Sequence, residues 1–355
     1  MQLKTEQKKL LLELIKDQEN STTLYKPGPY WSYKCKKAAN WMLKYGFDDF
    51  RGLNSPVGSS YSDNIIFDKR NEFGLGIKPI IANYISRLPL IKNIFDTQIK
   101  LTKEHINHVN NLQGHIYRKS ERVRYLLKNY IVKDTVNFES ISTFKINDSE
   151  YAFWYLIILN LIDLINNKIN LKKIHSFFEI GGGFGANIHL LLNNFNNIKK
   201  ILYLDVAPNL FIGTEYLRTF FGDAVKDYIE LKNKKITFSN DDNLEILCIA
   251  PWQLPHVELQ VDHFHNSRSF QEMTLEIIEN YCKFIKKILN KNGSITINSN
   301  RPHGSKVVSQ DDLLNIFNLP FEHEEYKGIC LEEFNDLYYF FSNTKEQKKC
   351  PPNLK

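Results

Sequence analysis

A glycine-rich turn constrains this chain more than any other feature. It comprises Gly181, Gly182, Gly183 and Gly185. The apolar run Ser176–Phe178 and Glu179 precede this turn, and a helical pattern over Ile188–Leu192 follows it. Glycine lets the backbone turn tightly and approach a ligand without an intervening Cβ. A helix that begins at such a turn directs free N–H groups and its positive dipole end at the ligand. The pattern therefore predicts a buried strand, a ligand-binding turn and a helix.

A second acid follows at the spacing of a nucleotide-binding unit. The apolar run Ile201–Leu204 ends in Asp205. A carboxylate at the end of the second strand of a βαβ unit can accept hydrogen bonds from ribose hydroxyls. The sequence thus predicts that an adenosine-bearing cofactor binds within residues 179–205.

The glycines alone leave two cofactor classes open. Gly181, Gly183 and Ala186 satisfy the G-x-G-x-x-G/A pattern, which is typical of nicotinamide and flavin enzymes. However, Glu179 would repel a pyrophosphate, and no Lys or Arg follows the glycines to bind one. An acid at this position suits a cofactor that carries an ammonium and a sulfonium.

The order of an acid, three spaced glycines and a later aspartate resembles class I S-adenosylmethionine methyltransferases. The resemblance implies that Gly181, Gly183 and Gly185 line the methionine moiety, that Glu179 reaches its ammonium through a backbone or water contact, and that Asp205 holds the ribose. Trp252 is a candidate to stack on the adenine or to lie near the sulfonium. A packing role for Trp252 also stays open.

Composition limits the range of partners and compartments. The 355 residues suggest about two domains, and the net charge of +6 comes without a long Lys/Arg block or a nucleic-acid motif, so no nucleic-acid partner is predicted. The longest apolar run, Tyr151–Ile165, is too short and too polar to span a bilayer. The chain starts without the apolar core of a signal peptide, and its five cysteines are scattered. We therefore predict a cytoplasmic protein with free thiols, and leave open whether it forms a homo-oligomer.

The periodicity of the second half predicts alternating strands and helices. Strands are expected at 176–180, 201–205, 245–250, 260–265 and 294–299, helices at 186–194, 208–220, 272–290 and 311–317, and a terminal hairpin at 322–327 and 337–342. This order predicts an α/β fold with a doubly wound, Rossmann-like sheet. We expect residues 171–355 to form the cofactor-binding domain. Residues 1–170 are expected to form a largely helical region that caps the pocket and selects the substrate.

The second half also resembles a bacterial family of sugar O-methyltransferases over residues 176–342. Besides the glycine turn, the resemblance rests on Tyr203–Pro208, on Trp252-Gln-Leu and, most specifically, on Asn266 with Ser269-Phe-Gln-Glu-Met273. Pro29-Tyr30-Trp31 and Gly46–Arg51 are similar to the N-terminal region of that family, with a bulkier residue at Tyr30. The resemblance implies methyl transfer to a hydroxyl of a sugar, nucleotide sugar or glycan. A dehydrogenase or epimerase, a non-catalytic scaffold and a methyltransferase for tRNA or protein are the alternatives.

A sugar hydroxyl is a weak nucleophile that gains from a general base. The candidates are Glu272, His265 and His256. Each also has a purely structural interpretation: Glu272 as an acid in the first turn of a helix, His265 as a core histidine and His256 as a surface histidine. Asn266, Ser269, Gln271 and His303 are the candidate substrate contacts. Asp262, His263, His265 and Glu272 could supply metal ligands, but their spacing fits no metal motif, and no metal is predicted.

Overall fold

The computed structural model describes residues 2–52, 89–300, 310–327, 329 and 335–342. The chain forms two compact units. One contains Gly46–Ile157, and the other combines Gln2–Tyr45 with Ile158–Lys355. This division differs from the boundary at residue 170 that the sequence suggests, because the first 45 residues share a unit with the sheet.

The described helices alternate with strands in the second half, as the periodicity predicts. In chain order they are α1 Thr5–Asn20, α2 Pro29–Tyr45, α3 Pro89–Lys119, α4 Glu121–Asn129, α5 Phe153–Ile169, α6 Ala186–Asn194, α7 Ala207–Phe221, α8 Tyr228–Leu231, α9 Leu275–Ile288 and α10 Gln310–Phe317. None of the described helices combines the length and the apolar character that a bilayer crossing requires.

The described strands belong to one hairpin and one sheet. They are β1 Thr143–Ile146, β2 Ser149–Ala152, β3 Ser176–Ile180, β4 Lys200–Leu204, β5 Val225–Lys226, β6 Glu245–Ile249, β7 Val261–Ser267, β8 Leu289–Asn300, β9 Glu322–Lys327 and β10 Asn335–Ser342. The sheet has the order β5-β6-β4-β3-β7-β8-β10-β9. Its strands from β5 to β8 pair in parallel, whereas β10 pairs antiparallel with both β8 and β9.

This topology confirms the predicted doubly wound, Rossmann-like sheet with a terminal antiparallel hairpin. From β3 the chain winds outward through β4 and β6, and then returns to the other side of β3 with β7 and β8. The strand order therefore reverses between β3 and β7. Ligands of doubly wound sheets bind at such a switch point, beyond the carboxyl ends of the strands.

The two faces of the sheet differ in polarity because side chains alternate along each strand. On one face, Phe178, Phe264 and Ile295 belong to a buried apolar cluster that includes Ile278 and Ile285 of α9. His263, His265 and Thr296 occupy the alternate positions of β7 and β8 and are buried as well. The polar residues of the central strands are thus part of the protein interior.

The predicted start of the helix over 272–290 is wrong. Residues Phe270–Glu272 form a separate 3₁₀ turn, closed by hydrogen bonds from Glu272 N to Ser269 O and from Met273 N to Phe270 O, both of 3.1 Å. Thr274 is extended, with φ −79° and ψ 156°, and α9 begins after it. Glu272 therefore lies in the loop between β7 and α9 and is not the first residue of the helix.

The unit Gly46–Ile157 contains α3, α4 and the hairpin of β1 and β2. Aromatic rings fill its interior. Phe47 packs on Phe50 and Phe138 at centroid distances of 5.0 and 4.7 Å, and Phe144 stacks on Phe153 at 4.6 Å. These contacts give the unit an apolar core of its own.

Candidate functional site

The glycine turn lies directly after β3 and can be built only from residues that tolerate positive φ. Gly181, Gly183 and Gly185 have φ of +75°, +63° and +91°. A Cβ at Gly181 would overlap the side chain of Ser269, and one at Gly182 would overlap Tyr203 and Glu179. The turn is therefore bare backbone wedged between neighbouring side chains, and it offers peptide groups to a ligand.

Glu179 lies behind this turn with one oxygen unsatisfied. The side chain is only 2% exposed. Its Oε1 accepts a hydrogen bond of 2.7 Å from Asn187 Nδ2, while its Oε2 is buried and accepts none from the described residues. Burial raises the pKa of Glu179 to about 8, against the bond from Asn187, and the charge of Asp205 adds to the rise. A cation nearby would favour the ionised carboxylate.

Asp205 ends the next strand and connects it to the turn. Its Oδ2 accepts from Gly183 N at 2.9 Å and its Oδ1 from Val206 N at 2.7 Å. Burial raises the pKa of Asp205 to about 7, although these backbone bonds oppose the rise. The side chain of Asn209 also hydrogen-bonds this carboxylate, which still has capacity to accept from a ligand hydroxyl.

Glu272 reaches the same region from the loop after β7. The indole N–H of Trp31 on α2 donates to its Oε2. Burial raises the pKa of Glu272, while the bond from Trp31 and the charges of Lys34 and Arg268 lower it. The charge of Glu272 in turn raises the pKa of Asp205, so the two carboxylates are electrostatic neighbours. Sequence reasoning singled out Pro29-Tyr30-Trp31 only as a resemblance and missed this contact.

Asn266 ties the turn to the loop after β7. Its Nδ2 donates to Ile180 O at 2.9 Å and to Ser269 Oγ at 2.5 Å, and its Oδ1 accepts from Phe270 N at 3.2 Å. The residue is 0% exposed. This geometry gives Asn266 a positioning role, whereas substrate contact was predicted. Ser269 and Gln271 are half-buried in the same loop.

His265 is a core residue. It is 1% exposed, and its Nδ1 lies 2.8 Å from Thr296 Oγ1. Burial lowers the pKa of His265 to about 3, which leaves a poor proton acceptor at neutral pH. His263 bonds Ser294 and Thr296 on the same face. The structural interpretation fits His265 better than the role of general base.

Two further candidates follow β6, and a third is not described. In the 3₁₀ turn Pro251–His256, the half-buried Trp252 donates from Nε1 to Tyr228 Oη at 2.9 Å, and His256 is exposed. Trp252 thus lies at the carboxyl end of its strand, as Asp205 does. His303 lies outside the described residues.

The four potential metal ligands do not form one site. Asp262 lies near the amino end of β7, where it accepts from the backbone N–H groups of His175 and Ser176, whereas Glu272 follows the carboxyl end of that strand. In the part of the chain that the structure describes, no three His, Cys, Asp or Glu side chains are placed to hold a metal ion together.

Residues that the sequence analysis did not select also surround Asp205. Cys35 of α2 is buried, and burial together with the charge of Asp205 raises the pKa of its thiol to about 12. Burial and the same charge raise the pKa of Tyr281 on α9. Local sequence patterns carry no signal for these neighbours, because they come from helices far apart in the chain.

Taken together, three carboxyl groups surround a turn of bare backbone. Glu179, Asp205 and Glu272 all have raised pKa values, mainly because they are buried. The charge of Asp205 adds to the rise at Glu179, and the charge of Glu272 adds to the rise at Asp205. Such a site favours a ligand that brings positive charge and hydroxyl or ammonium donors. A pyrophosphate would add negative charge to it.

No protein-family model matches this chain, and no curated protein matches it either. Solved structures do match. An O-methyltransferase family protein from Burkholderia thailandensis has a TM-score of 0.40 at 5% identity, over 53% of this chain and 56% of its own. The N-methyltransferase NodS from Bradyrhizobium japonicum, in complex with S-adenosyl-L-homocysteine, has a TM-score of 0.35 at 13% identity, over 51% of this chain and 84% of its own. Magnesium protoporphyrin IX methyltransferase from Synechocystis, with bound SAM, has a TM-score of 0.36 at 7% identity, over 52% of this chain and 77% of its own.

This chain thus spans only about half the length of the Burkholderia protein.

Proposed function

We propose that this protein is an S-adenosylmethionine-dependent O-methyltransferase. The observation that carries the proposal is the buried Glu179, whose Oε2 accepts no hydrogen bond from the described residues although it lies against the glycine turn. A buried carboxylate oxygen without a donor is costly unless a ligand supplies one. An ammonium group would meet that need, and the pyrophosphate of a nicotinamide cofactor would not.

Different residues of the site would bind different parts of this cofactor. Backbone groups of Gly181 and Gly183 and the carboxylate of Glu179 would hold the amino-acid moiety. Asp205 would accept from the ribose hydroxyls with its remaining lone pairs. When bound, the cofactor supplies an electrophilic methyl group on a positively charged sulfur.

Glu272 is the best-placed proton acceptor of the three predicted bases. It shares its surroundings with Asp205, and Trp31 orients its carboxylate through one hydrogen bond. A pKa raised by burial brings a carboxylate closer to the pH at which a general base works well. Glu272 would accept the proton of the acceptor hydroxyl, while the turn and Asp205 hold the donor.

The acceptor is proposed to be a hydroxyl of a sugar, nucleotide sugar or glycan, and the protein to act in the cytoplasm. This part rests on the resemblance of Asn266 and Ser269–Met273 to sugar O-methyltransferases. Ser269, Gln271 and His303 remain proposed substrate contacts. The helical region before the sheet is proposed to choose among acceptors.

Calorimetry with S-adenosylhomocysteine tests the cofactor directly. We expect binding by the wild type and a loss of about tenfold or more in Asp205→Ala, because a charged hydrogen bond to the ribose would be lost. Equal binding by both proteins would refute the role of Asp205. Binding of NAD without binding of S-adenosylhomocysteine would favour the dehydrogenase alternative.

Mass spectrometry of surface glycans tests the acceptor. Cells with the gene should carry glycans heavier by one CH₂ group than cells that lack it. Transfer of labelled methyl groups to RNA or protein fractions instead would overturn the sugar assignment and leave the cofactor assignment intact. Cofactor binding without transfer to any of these fractions would indicate the scaffold alternative.

A further inference from the structure

The N-terminal segment contacts the loops at the carboxyl edge of the sheet. Gln18 Oε1 of α1 accepts a hydrogen bond of 2.8 Å from Ala207 N. Ala207 is the first residue of α7 and follows Asp205 by two positions. The first N–H groups of a helix have no partner within that helix. Gln18 therefore supplies one and fixes the start of α7 beside the proposed ribose site.

The neighbouring residue, Asp17, reaches Trp252 through Tyr228. Asp17 Oδ2 accepts from Tyr228 Oη at 2.6 Å, and Tyr228 Oη accepts from Trp252 Nε1 at 2.9 Å. The Tyr228 and Trp252 rings meet edge to face, with centroids 5.7 Å apart and planes at 77°. Tyr228 is only 2% exposed, so this contact is built into the interior.

The chemistry of the three groups gives the chain of bonds one direction. An indole N–H can only donate, so the Tyr228 oxygen must accept from Trp252. The single hydroxyl hydrogen of Tyr228 must then go to Asp17, which accepts it as a carboxylate. Lys232 holds that carboxylate, and its Nζ also binds Glu13 Oε1 at 2.7 Å.

The ionisation state of Asp17 agrees with this direction. Burial acts to raise its pKa, but hydrogen bonds from Lys232 and Tyr228 and the charge of Lys232 outweigh burial and lower the pKa below its ordinary value. Asp17 is therefore a stable acceptor at neutral pH. Trp252 is held by a chain of bonds that ends in the ion pair between Asp17 of α1 and Lys232.

We propose that Asp17 and Tyr228 are positioning residues for the nucleoside half of the cofactor, because they hold Trp252 as a wall of the adenine pocket. This inference rests on the function proposed above. It makes α1 a part of the donor site in addition to any role in substrate choice.

Paired calorimetry with S-adenosylhomocysteine and with adenosine tests the inference. Adenosine carries only the nucleoside half, so Asp17→Ala and Tyr228→Phe should weaken both ligands by the same factor, about threefold to tenfold, as expected for one lost hydrogen bond. Quenching of tryptophan fluorescence by adenosine should fall in both variants and vanish in Trp252→Phe.

Gln7→Ala is the matched control. Gln7 also lies on α1, but its Nε2 donates at 2.6 Å to Glu215, in the interior of α7. This variant should bind both ligands as the wild type does, with Tm values showing that all variants fold. Wild-type affinity in Asp17→Ala and Tyr228→Phe, or an equal loss in Gln7→Ala, would overturn the inference alone. A wild type that binds neither ligand would overturn the proposed function as well.

Discussion

The amino and carboxyl edges of the same sheet treat buried charge in opposite ways. At the amino edge, Lys200 is 4% exposed, yet its Nζ has Ser239 Oγ at 2.7 Å and the carboxylates of Asp241 and Glu245 at 3.2 and 3.3 Å. Asp262 nearby accepts from two backbone N–H groups and from the amide of Asn290. Charge at this edge is compensated within the protein.

At the carboxyl edge the balance is incomplete. Glu179 Oε2, Asn187 Oδ1 and His265 Nε2 are buried without a hydrogen-bond partner among the described residues. Three acids lie near the turn. Among the described hydrogen bonds, no lysine contacts Glu179 in the way that Lys200 contacts Asp241 and Glu245 at the amino edge. A buried group that lacks its partner lowers stability. The carboxyl edge therefore lacks, among the described residues, partners of the kind that the amino edge supplies from within the protein.

The largest effect is expected for Gly181→Ala. The new Cβ would combine a positive φ of +75° with overlap of Ser269, and should weaken S-adenosylhomocysteine binding by about 30-fold or more, the equivalent of about 2 kcal/mol. Calorimetry measures this loss. Gly222→Ala is the control, since Gly222 also has positive φ, at +52°, but a Cβ there meets nothing within 4 Å. Equal losses in both variants would assign the effect to backbone strain and refute the special role of the turn.

Glu179→Gln compares the edges directly. The folded protein holds a proton on Glu179 up to a pH of about 8, whereas the unfolded chain releases it near the ordinary pKa of 4.5. The free energy of unfolding of the ligand-free wild type should therefore fall as pH rises between these values. We expect the variant to be more stable than the wild type at pH 8 by about 1 kcal/mol or more, and the gain to shrink towards pH 5.

Urea unfolding at several pH values measures this difference. Asp262→Asn at the amino edge serves as the contrast, because it weakens a carboxylate whose partners are all in place, and it should lower stability. Destabilisation of Glu179→Gln at pH 8 would contradict the view that the carboxyl edge carries uncompensated charge.

A smaller effect is expected for Trp31→Phe. Loss of the indole N–H removes a bond that lowers the pKa of Glu272, so that pKa should rise. If Glu272 is the base, the acidic limb of the methyl-transfer rate moves to higher pH by up to about one unit. The rate of label transfer to the glycan fraction measures the profile. Trp41→Phe, on the same helix, should leave the profile unchanged, and a Trp31→Phe profile that matches the wild type would remove Glu272 from the role.

The smallest effect is expected for His256→Ala. His256 is exposed at the end of its turn. Its replacement should change stability by no more than about 0.5 kcal/mol and leave the pH profile in place. His265→Asn should instead lower Tm, because it disturbs a buried bond to Thr296. If the pH profile of the methyl-transfer rate in His256→Ala lost its dependence on a basic group, this histidine would be the proton acceptor.

The sheet could be predicted because most of its strands are marked by a short local pattern in the sequence. Each central strand is an apolar run followed by a turn or helix signal, and β3, β4 and β6 lie within a residue of their predicted bounds. β8 begins at Leu289, earlier than predicted. The prediction missed this start because Asn290–Gly293 lacks the apolar character that is typical of a strand. The two-residue β5 gives no periodic signal at all.

The site was only partly predictable, since much of it depends on contacts between distant residues. Trp31 and Glu272 are 241 positions apart, and Asp17 and Tyr228 are 211 apart. No pattern within a short window encodes such pairs. The histidines of β7 could be interpreted from the sequence, because a central strand usually faces the core and a structural histidine is expected there. Three of the four ring nitrogens of His263 and His265 lie within hydrogen-bond distance of hydroxyl groups of β8.

The hydrogen bonds of Asn266 have a practical consequence for protein engineering. Because the amide of Asn266 bonds both the backbone before the glycine turn and the backbone of Phe270, it ties the two loops together. Grafting residues 267–273 from another protein would therefore disturb the glycine turn too. A chimera that exchanges both loops together with position 266 should keep the affinity of the proposed site for S-adenosylhomocysteine, whereas one that exchanges either loop alone should not.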